Sequence, residues 1–168
     1  MIEPACGSAN DYRFLQTFGL APLLRYSGFD ICETNIANAK AMFPDAHFLV
    51  GNAFNIESPD NAFEYCIVHD LFEHLSIEGM QRALSEISRV TRRGIAIGLF
   101  NAHESVDHIV RPTDEYHWNT LSIPRLRELL ATRGFQTQVI HIETFLKWRF
   151  GCDRTHNKSA YTVFAERP

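Results

Sequence analysis

The chain has 168 residues, 45% of them hydrophobic, with a formal net charge of −4 and an isoelectric point near 6.0. This length and composition support one globular domain, and we expect residues 1–168 to form it. The net negative charge argues against non-specific binding to nucleic acid or to an anionic membrane, so neither is expected as a partner.

The four cysteines, Cys6, Cys32, Cys66 and Cys152, include no C-x-x-C pair. We therefore expect reduced thiols in a cytoplasmic protein, rather than a disulfide framework or a zinc site. No apolar stretch approaches the length of a membrane-spanning helix, and the first residues lack the basic-then-apolar pattern of a signal peptide.

The first segment, from Ile2 to Asn10, predicts the end of a strand and a tight turn that opens into a helix. Ala5, Gly7 and Ala9 are small, so the backbone of this turn can approach a ligand closely. The start of the helix offers free N–H groups. In a chain that alternates between strands and helices, a nucleotide-like cofactor binds at such a turn.

Further strand-like and helix-like segments alternate along the rest of the chain. Helices are predicted over Asn35–Phe43, over the run from Ser76 to Val90, and from an N-cap at Ser122 to a stop at Gly134. The basic residues Arg89, Arg92 and Arg93 are expected in a solvated turn between a helix and a strand. The strand candidates are Ile2–Ala5, Tyr26–Ile31, His47–Val50, Phe63–His69, Ile95–Phe100, Gln136–Ile142 and Tyr161–Ala165.

This alternation predicts an α/β fold with a mostly parallel sheet and helices on both of its faces. Only a predicted loop, Glu143–Ala160, separates the last two strands. A parallel pair needs a longer crossover connection, so we expect these two strands to pair antiparallel.

The spacing of the first turn carries a family resemblance. Glu3, Ala5, Gly7 and Ala9 resemble motif I (E/D-x-G-x-G-x-G) of class I S-adenosylmethionine-dependent methyltransferases, with alanine at the first and third glycine positions. The spacing differs from the G-x-G-x-x-G of dinucleotide-binding enzymes.

The resemblance extends over essentially the whole chain and is to the small bacterial type 11/12-like members. Glu86, Arg89, Val90 and Gly94 are similar to the family's E-x-x-R-V-x-x-x-G segment, and the run from Tyr116 to Ser122 is similar to another of its segments. The resemblance implies a three-layer Rossmann-like methyltransferase fold, with a mostly parallel seven-stranded sheet that ends in an antiparallel strand.

Family members usually carry a helix or two and most of the first strand ahead of motif I, whereas two residues precede Glu3 here. We therefore expect a shortened first strand and no N-terminal lid over the cofactor. Three explanations stay open: a start site chosen too far downstream, a truncated chain, or an open pocket completed by another subunit, as in a homodimer.

The resemblance also implies which residues bind S-adenosylmethionine, because ligands of open α/β sheets contact the carboxyl ends of the strands. Asp30, after the second strand, is expected to accept the ribose hydroxyls. Asn52, after the third, takes the place of the acid that meets the adenine amino group. The full set of candidates is Glu3, Ala5, Cys6, Gly7, Asn10, Asp30, Ile31, Asn52, Ala53, Phe54, His69 and Leu71.

Methyl transfer needs positioning, and it also needs a base when the nucleophile carries a proton. The candidate bases are His69, His74 and His117, with Asp70 also considered, because they follow the fourth strand or lie in the Tyr116–Asn119 segment. Histidine is favoured because it titrates near neutral pH. A local structural role is the alternative for each of these residues.

Asp70, Glu73 and His74 have the spacing D-x-x-E-H, which resembles the E-x-x-E-H of metal-assisted methyltransferases. On a helical turn these positions converge, so the three side chains offer a candidate cation site. Aspartate replaces the first glutamate, and no fourth ligand is identifiable beyond His117 or Asp114. The expectation is therefore an enzyme without a metal, and the metal-assisted type is an alternative.

The predicted function is methyl transfer from S-adenosylmethionine to the O, N or C atom of a small molecule, by in-line displacement that leaves S-adenosylhomocysteine. The alternatives are a non-catalytic or truncated cofactor-binding or scaffold protein, and an NAD-linked oxidoreductase. The motifs of nucleic-acid base methylation, N/D-P-P-Y/F and Pro-Cys, are absent from the expected positions. Aromatic residues at Tyr116, Trp118, Phe145, Trp148 and Phe150 are expected either to wall the acceptor pocket or to belong to the core.

Overall fold

The computed structural model describes residues 1–155 and 157–168, and its central element is a seven-stranded sheet accompanied by a separate two-stranded one. The strands of the large sheet are β1 (Ile2–Pro4), β2 (Ser27–Asp30), β3 (His47–Val50), β4 (Phe63–His69), β5 (Thr91–Leu99), β8 (Gln136–His141) and β9 (Tyr161–Glu166). The small sheet pairs β6 (Ala102–His103) with β7 (Leu121–Ser122).

The strand order of the large sheet is β3-β2-β1-β4-β5-β9-β8. Every pair from β3 to β5 is parallel, and β9 runs antiparallel to both β5 and β8. The predicted fold class is thereby confirmed. The first strand is short: it pairs with β2 over Ile2–Pro4 and with β4 at Ile2 alone.

Five α-helices accompany the sheet in the described part of the chain: α1 (Asn10–Thr17), α2 (Glu33–Met42), α3 (Ile77–Val90), α4 (Ile123–Ala131) and α5 (Ile142–Phe150). Side chains of α3 and α4 form the main core with one face of the sheet, including Leu84, Ile97 and Leu126. A second core cluster holds Ala9, Ile36 and Phe48, beneath α1 and α2. Successive strand residues face opposite sides of the sheet. The two clusters therefore lie between the sheet and the helices that cover its two faces, and the fold has three layers.

Helix α3 forms where its apolar residues recur with helical spacing. Met80, Ala83, Leu84 and Ile87 are fully buried on one stripe, as an amphipathic helix requires. The Ser76 hydroxyl accepts the Gly79 N–H at 3.0 Å and caps the helix. In the same way, the Ser122 hydroxyl accepts the Arg125 N–H at 3.2 Å at the start of α4.

Two sequence expectations were wrong. The segment Glu143–Ala160 is not only a loop, because α5 covers Ile142–Phe150 and ends at Gly151, whose φ of 66° closes the helix in the left-handed region. The strands on either side still pair antiparallel, as expected. Arg92 and Arg93 lie within β5 rather than in a turn, because α3 ends at Val90 and Thr91 already pairs with Phe63 of β4.

None of the helices in the described part of the chain combines the length and apolar character that crossing a bilayer requires.

Candidate functional site

The turn after β1 is built from alternating left-handed residues. Ala5, Gly7 and Ala9 have φ values of 56°, 53° and 66°. The turn is closed by the Ala9 N–H donating to the Cys6 carbonyl at 2.9 Å and by the Cys6 N–H donating to the Phe29 carbonyl at 3.0 Å. Glycine adopts these angles without strain, whereas a Cβ is disfavoured there even in alanine.

Asp30, at the end of β2, is tied directly to this turn. Its Oδ2 accepts the Gly7 N–H at 2.9 Å, and its Oδ1 accepts the Cys32 N–H at 2.8 Å and the Asn35 amide at 3.3 Å. The residue is 8% exposed. The structure therefore brings together the first two predicted elements of the cofactor site.

Gly7 borders open space at the start of helix α1. A Cβ added at Gly7 would meet no heavy atom within 4 Å, so the turn faces open space. Helix α1 begins without a side-chain cap, which leaves the first N–H groups of the helix available to an anionic group. Asn10, predicted to bind cofactor, is exposed at this helix start, and its Oδ1 accepts from Arg13 at 2.5 Å.

The residues after β2 and β3 lie at the rim of the same edge of the sheet. Ile31 is 71% exposed and follows Asp30 directly. The side-chain oxygen of Asn52 accepts the Phe54 N–H at 2.8 Å, which shapes the turn after β3. Ala53 and Phe54 are partly buried against the main core, and Leu71, after β4, packs in the same way.

Two of the predicted cofactor residues place their side chains beneath the turn. Glu3 is 3% exposed and accepts the Tyr26 hydroxyl at 2.5 Å. Burial raises the pKa of Glu3 to about 8, against the opposing effect of the Tyr26 bond. Cys6 is buried in the second core cluster, and burial raises the pKa of its thiol to about 12. Their side chains are thus part of the floor of the site.

His69, at the end of β4, contacts a residue that the sequence did not single out. Its Nδ1 pairs with Oδ2 of Asp11, in the first turn of α1. This hydrogen bond raises the pKa of His69, against the effect of burial. Acidic residues are common in the first turn of any helix, so Asp11 carries no distinguishing signal in the sequence.

Asp70 and His74 contact each other, whereas Glu73, which lines a cavity with them, is held by a different contact. His74 Nε2 lies 3.1 Å from Asp70 Oδ1, whereas Glu73 Oε1 accepts the Phe100 N–H at 2.7 Å. Glu73 is 2% exposed, and burial raises its pKa. The described residues contain no group of three His, Cys, Asp or Glu side chains arranged to hold a metal ion.

His117 joins this side of the site through its backbone. Its carbonyl lies 3.2 Å from His74 Nδ1, and its N–H donates to the His74 carbonyl at 3.2 Å. Asn119, fully buried and not predicted, fixes the segment: its amide donates to the Leu75 carbonyl and its oxygen accepts the Arg111 N–H.

A cavity of about 310 Å³ lies beside these residues. The rings of Phe100 and Trp118 line it, and both are about half exposed at 54% and 51%. Its remaining lining is polar: Asp70, Glu73, His74, Asn101, Asn157 and Ser159. Trp148 and Phe150 are 77% and 64% exposed, so these two aromatic residues belong neither to the core nor to this cavity.

A larger groove of about 950 Å³ lies elsewhere, on the face of the sheet beside Leu24, Tyr65, Ala96 and Phe164. It contains none of the predicted cofactor residues. The carboxyl ends of β1, β2 and β4, with the smaller cavity beside them, therefore form the candidate site.

Comparisons with known proteins agree with this geometry. A family model described as "Methyltransferase domain" matches residues 2–97. A curated protein of Mycolicibacterium smegmatis, named as a probable S-adenosylmethionine-dependent methyltransferase, is 27% identical over 116 residues, which are 68% of this chain and 44% of the relative. The chain thus spans less than half the length of that relative.

Solved methyltransferase structures share the fold. One from Methanosarcina mazei, described as S-adenosylmethionine-dependent, superposes with a TM-score of 0.71 at 18% identity, covering 99% of this chain and 91% of its own. The 1,6-didemethyltoxoflavin-N1-methyltransferase of Burkholderia thailandensis, solved with 1,6-didemethyltoxoflavin and S-adenosylhomocysteine bound, has a TM-score of 0.71 at 13% identity, covering 99% of this chain and 69% of its own.

Proposed function

The chain belongs to the methyltransferase domain family, and on that premise we propose that it transfers a methyl group from S-adenosylmethionine to a small-molecule acceptor. The observation that carries the proposal is the hydrogen bond from the Gly7 N–H to Asp30, 2.9 Å long. It joins the small-residue turn to the acid that follows the neighbouring strand, at the place where an open α/β sheet binds its ligand.

Residues at the carboxyl ends of three strands would contact the cofactor. The Gly7 turn and the uncapped start of α1 would hold the methionine carboxylate. Asp30 would accept from the ribose hydroxyls, and Asn52 would face the adenine. When bound, S-adenosylmethionine supplies a methyl group on a positively charged sulfur, open to in-line displacement.

The cavity of about 310 Å³ is the proposed acceptor pocket. Its volume is at the small end of ligand sites, which suits a small acceptor. The rings of Phe100 and Trp118 would stack on a planar molecule. The bound 1,6-didemethyltoxoflavin of the Burkholderia enzyme supports a small-molecule acceptor for this fold.

Of the three candidate bases, His74 lines this cavity, although its hydrogen bonds leave at most one ring nitrogen to act as a base. Both ring nitrogens of His74 face hydrogen-bond acceptors, Asp70 Oδ1 and the His117 carbonyl. A nitrogen that donates to either one has no lone pair left to take a proton. For the metal-assisted alternative, Glu73 offers only its Oε2, because its Oε1 accepts the Phe100 N–H, and the described residues contain no group of three ligands arranged for a metal ion.

Two experiments test the proposal: the first measures cofactor binding and the second measures methyl transfer. Calorimetric titration of the full chain with S-adenosylmethionine, S-adenosylhomocysteine and NAD is expected to give heat of binding with the first two ligands alone. Binding of NAD alone would overturn the proposal in favour of an oxidoreductase.

Transfer is then measured with tritium-labelled S-adenosylmethionine and a deproteinised small-molecule extract. We expect labelled products in the small-molecule fraction, in smaller amount with the Asp30→Asn variant when S-adenosylmethionine is kept below saturation. Cofactor binding without any transfer would favour the non-catalytic alternative.

A further inference from the structure

The cavity of about 310 Å³ is lined by acids and aromatic rings. Asp70 and Glu73 supply the carboxylates, and Phe100 and Trp118 supply the rings. Among the residues that the structure describes, no lysine or arginine lines the cavity. The lining base His74 has its Nε2 3.1 Å from Asp70 Oδ1. When both acids are ionised, a protonated His74 therefore balances at most one of the two negative charges.

Glu73 brings a buried carboxylate oxygen without a partner to this lining. Its Oε1 accepts the Phe100 N–H at 2.7 Å, whereas its Oε2 is buried and has no hydrogen-bond partner in residues 1–155 and 157–168. The residue is 2% exposed, and burial raises its pKa, as the charge of Asp70 does to a smaller extent. A positive charge in the cavity would stabilise this carboxylate, because charges interact over several ångströms where water is excluded.

The other polar side chains leave the cavity with more acceptors than donors. Asn101 Nδ2 donates to the Asn119 carbonyl at 2.9 Å, and Asn157 Nδ2 donates to the Phe100 carbonyl at 2.7 Å. Asp70, whose side chain is 53% exposed, uses Oδ1 for the histidine contact and has Oδ2 left to accept from a ligand. The lining therefore suits a ligand that carries hydrogen-bond donors.

The two rings add a contact surface that favours the same charge. Phe100 and Trp118 are 54% and 51% exposed, so their rings are open to a ligand. The face of an aromatic ring is negative, and it attracts a cation that lies within about 6 Å of the ring centre. An anionic ligand would instead be repelled by the carboxylates of Asp70 and Glu73. Charge therefore distinguishes the ligands that this cavity accepts.

We propose that this cavity selects a methyl acceptor that carries a substituted ammonium group, with Asp70 and Glu73 as the attracting charges and Phe100 and Trp118 as the contact surface. This inference rests on the proposed function. The ammonium group anchors the acceptor and is not the methylated atom, because a nitrogen in that charged form has no lone pair with which to attack. The nucleophile is therefore a second group of the same acceptor molecule.

The first test compares three probes of similar size and different charge at pH 7: benzylamine is cationic, benzyl alcohol is neutral and benzoate is anionic. The chain has two tryptophans, and Trp148 does not line the cavity. The Trp148→Phe variant, saturated with S-adenosylhomocysteine, therefore reports binding through the fluorescence of Trp118 alone. We expect the dissociation constant of benzylamine to be at least about tenfold lower than that of benzyl alcohol, with benzoate binding most weakly. Equal affinities of the three probes, or tightest binding of benzoate, would overturn the inference.

The second test removes the charges in the same Trp148→Phe background. Asp70 has a φ of 50°, and asparagine tolerates this left-handed angle as aspartate does. We expect Asp70→Asn to weaken benzylamine binding at least about threefold and to leave benzyl alcohol binding nearly unchanged. Asp45→Asn, at an exposed position between α2 and β3, is the matched control and should bind both probes as its parent does.

Glu73→Gln keeps an amide oxygen for the Phe100 N–H and should also weaken benzylamine binding more than benzyl alcohol binding. If neither Asp70→Asn nor Glu73→Gln reduces the preference for benzylamine, the inference is wrong. Calorimetry with S-adenosylhomocysteine on the same samples separates the two levels of failure. Bound cofactor without a preference for benzylamine overturns this inference alone, whereas loss of cofactor binding in the parent protein overturns the proposed function as well.

Discussion

At the scale of single residues, the turn after β1, which is proposed to bind the cofactor, holds a strained backbone. Ala5 and Ala9 hold left-handed backbone angles of 56° and 66° at positions where glycine has no Cβ to strain. Each such alanine costs about 1–2 kcal/mol relative to an unstrained backbone. At Ala9 packing offsets this cost, because its methyl group is fully buried in the second core cluster.

Ala5→Gly is therefore expected to stabilise the protein by about 0.5–1 kcal/mol, because relief of strain exceeds the added entropy of the unfolded chain. The measurement is the free energy of unfolding in urea. Ala37→Gly, at an exposed position inside α2, is the matched control and should destabilise by about 1 kcal/mol. A loss of stability in Ala5→Gly would contradict the left-handed geometry.

Glu3 predicts a pH dependence of stability. Its pKa is about 8 in the folded protein, against 4.5 as the ordinary value, because burial disfavours the charged form. Between these values the folded protein keeps a proton that the unfolded chain has lost, so stability falls as pH rises through this window.

Glu3→Gln removes this titration and retains an acceptor for the Tyr26 hydroxyl. The wild-type protein should lose on the order of 2 kcal/mol more than Glu3→Gln between pH 5 and pH 8. His69 contributes in the same direction in both proteins, and because Glu3 is a minor cause of its raised pKa, the difference between the two proteins reports mainly Glu3. Glu33→Gln, an exposed acid of α2, is the control and should behave like the wild type.

Residue types at strand ends were predictable, but side-chain directions were not. The order of Gly7, Asp30 and Asn52 along the chain indicated the site, because parallel strands bring their carboxyl ends to one edge. Glu73 illustrates the limit: its spacing to His74 suggested a shared cation, and the free backbone N–H of Phe100 determines where its carboxylate lies. That N–H belongs to a residue far along the chain, which no local pattern reveals.

At the scale of elements, the two serine caps differ in the number of hydrogen bonds that the serine hydroxyl makes. The Ser76 hydroxyl accepts one N–H at the start of α3. The Ser122 hydroxyl accepts the Arg125 N–H and also donates toward the carbonyls of Ser105 and Val106, at 2.6 and 3.0 Å. Ser122 is fully buried and thereby ties α4 to the loop before it.

Ser76→Ala is expected to cost about 1 kcal/mol, which is the ordinary loss of a cap. Ser122→Ala should cost about 2 kcal/mol, because it also removes the donor to the carbonyl groups of Ser105 and Val106. Urea denaturation of the two variants measures the difference. Equal losses would show that the loop carbonyls find other partners.

The apolar patterns of the individual helices explain which of them could be predicted from the sequence. Helix α3 has a clear apolar stripe and a serine cap, and its predicted range agrees with Ile77–Val90 within one residue. Helix α5 has no buried residue, so its apolar side chains show no stripe toward a core. Gly151 at its end was the one local signal available.

At the scale of the whole molecule, the strand order determines where the candidate site lies. The sheet extends from β1 to β2 and β3 in one direction and to β4 and β5 in the other. The connections therefore reverse between β1 and β4, and such a reversal opens a crevice at the carboxyl ends of the strands. The alternation of strands and helices in the sequence predicted a sheet between two layers of helices. No local pattern predicted the order of the strands, which only the family resemblance implied.

The central claim is that the crevice between β1, β2 and β4 holds S-adenosylmethionine through Asp30. The most direct measurement is the dissociation constant of S-adenosylmethionine for the wild type, Asp30→Asn and Glu33→Gln, by calorimetry at one pH and salt concentration. We predict at least about tenfold weaker binding for Asp30→Asn, since charge-assisted hydrogen bonds are lost, and an unchanged constant for Glu33→Gln. Equal affinities of the wild type and Asp30→Asn, with both proteins folded, would contradict the account.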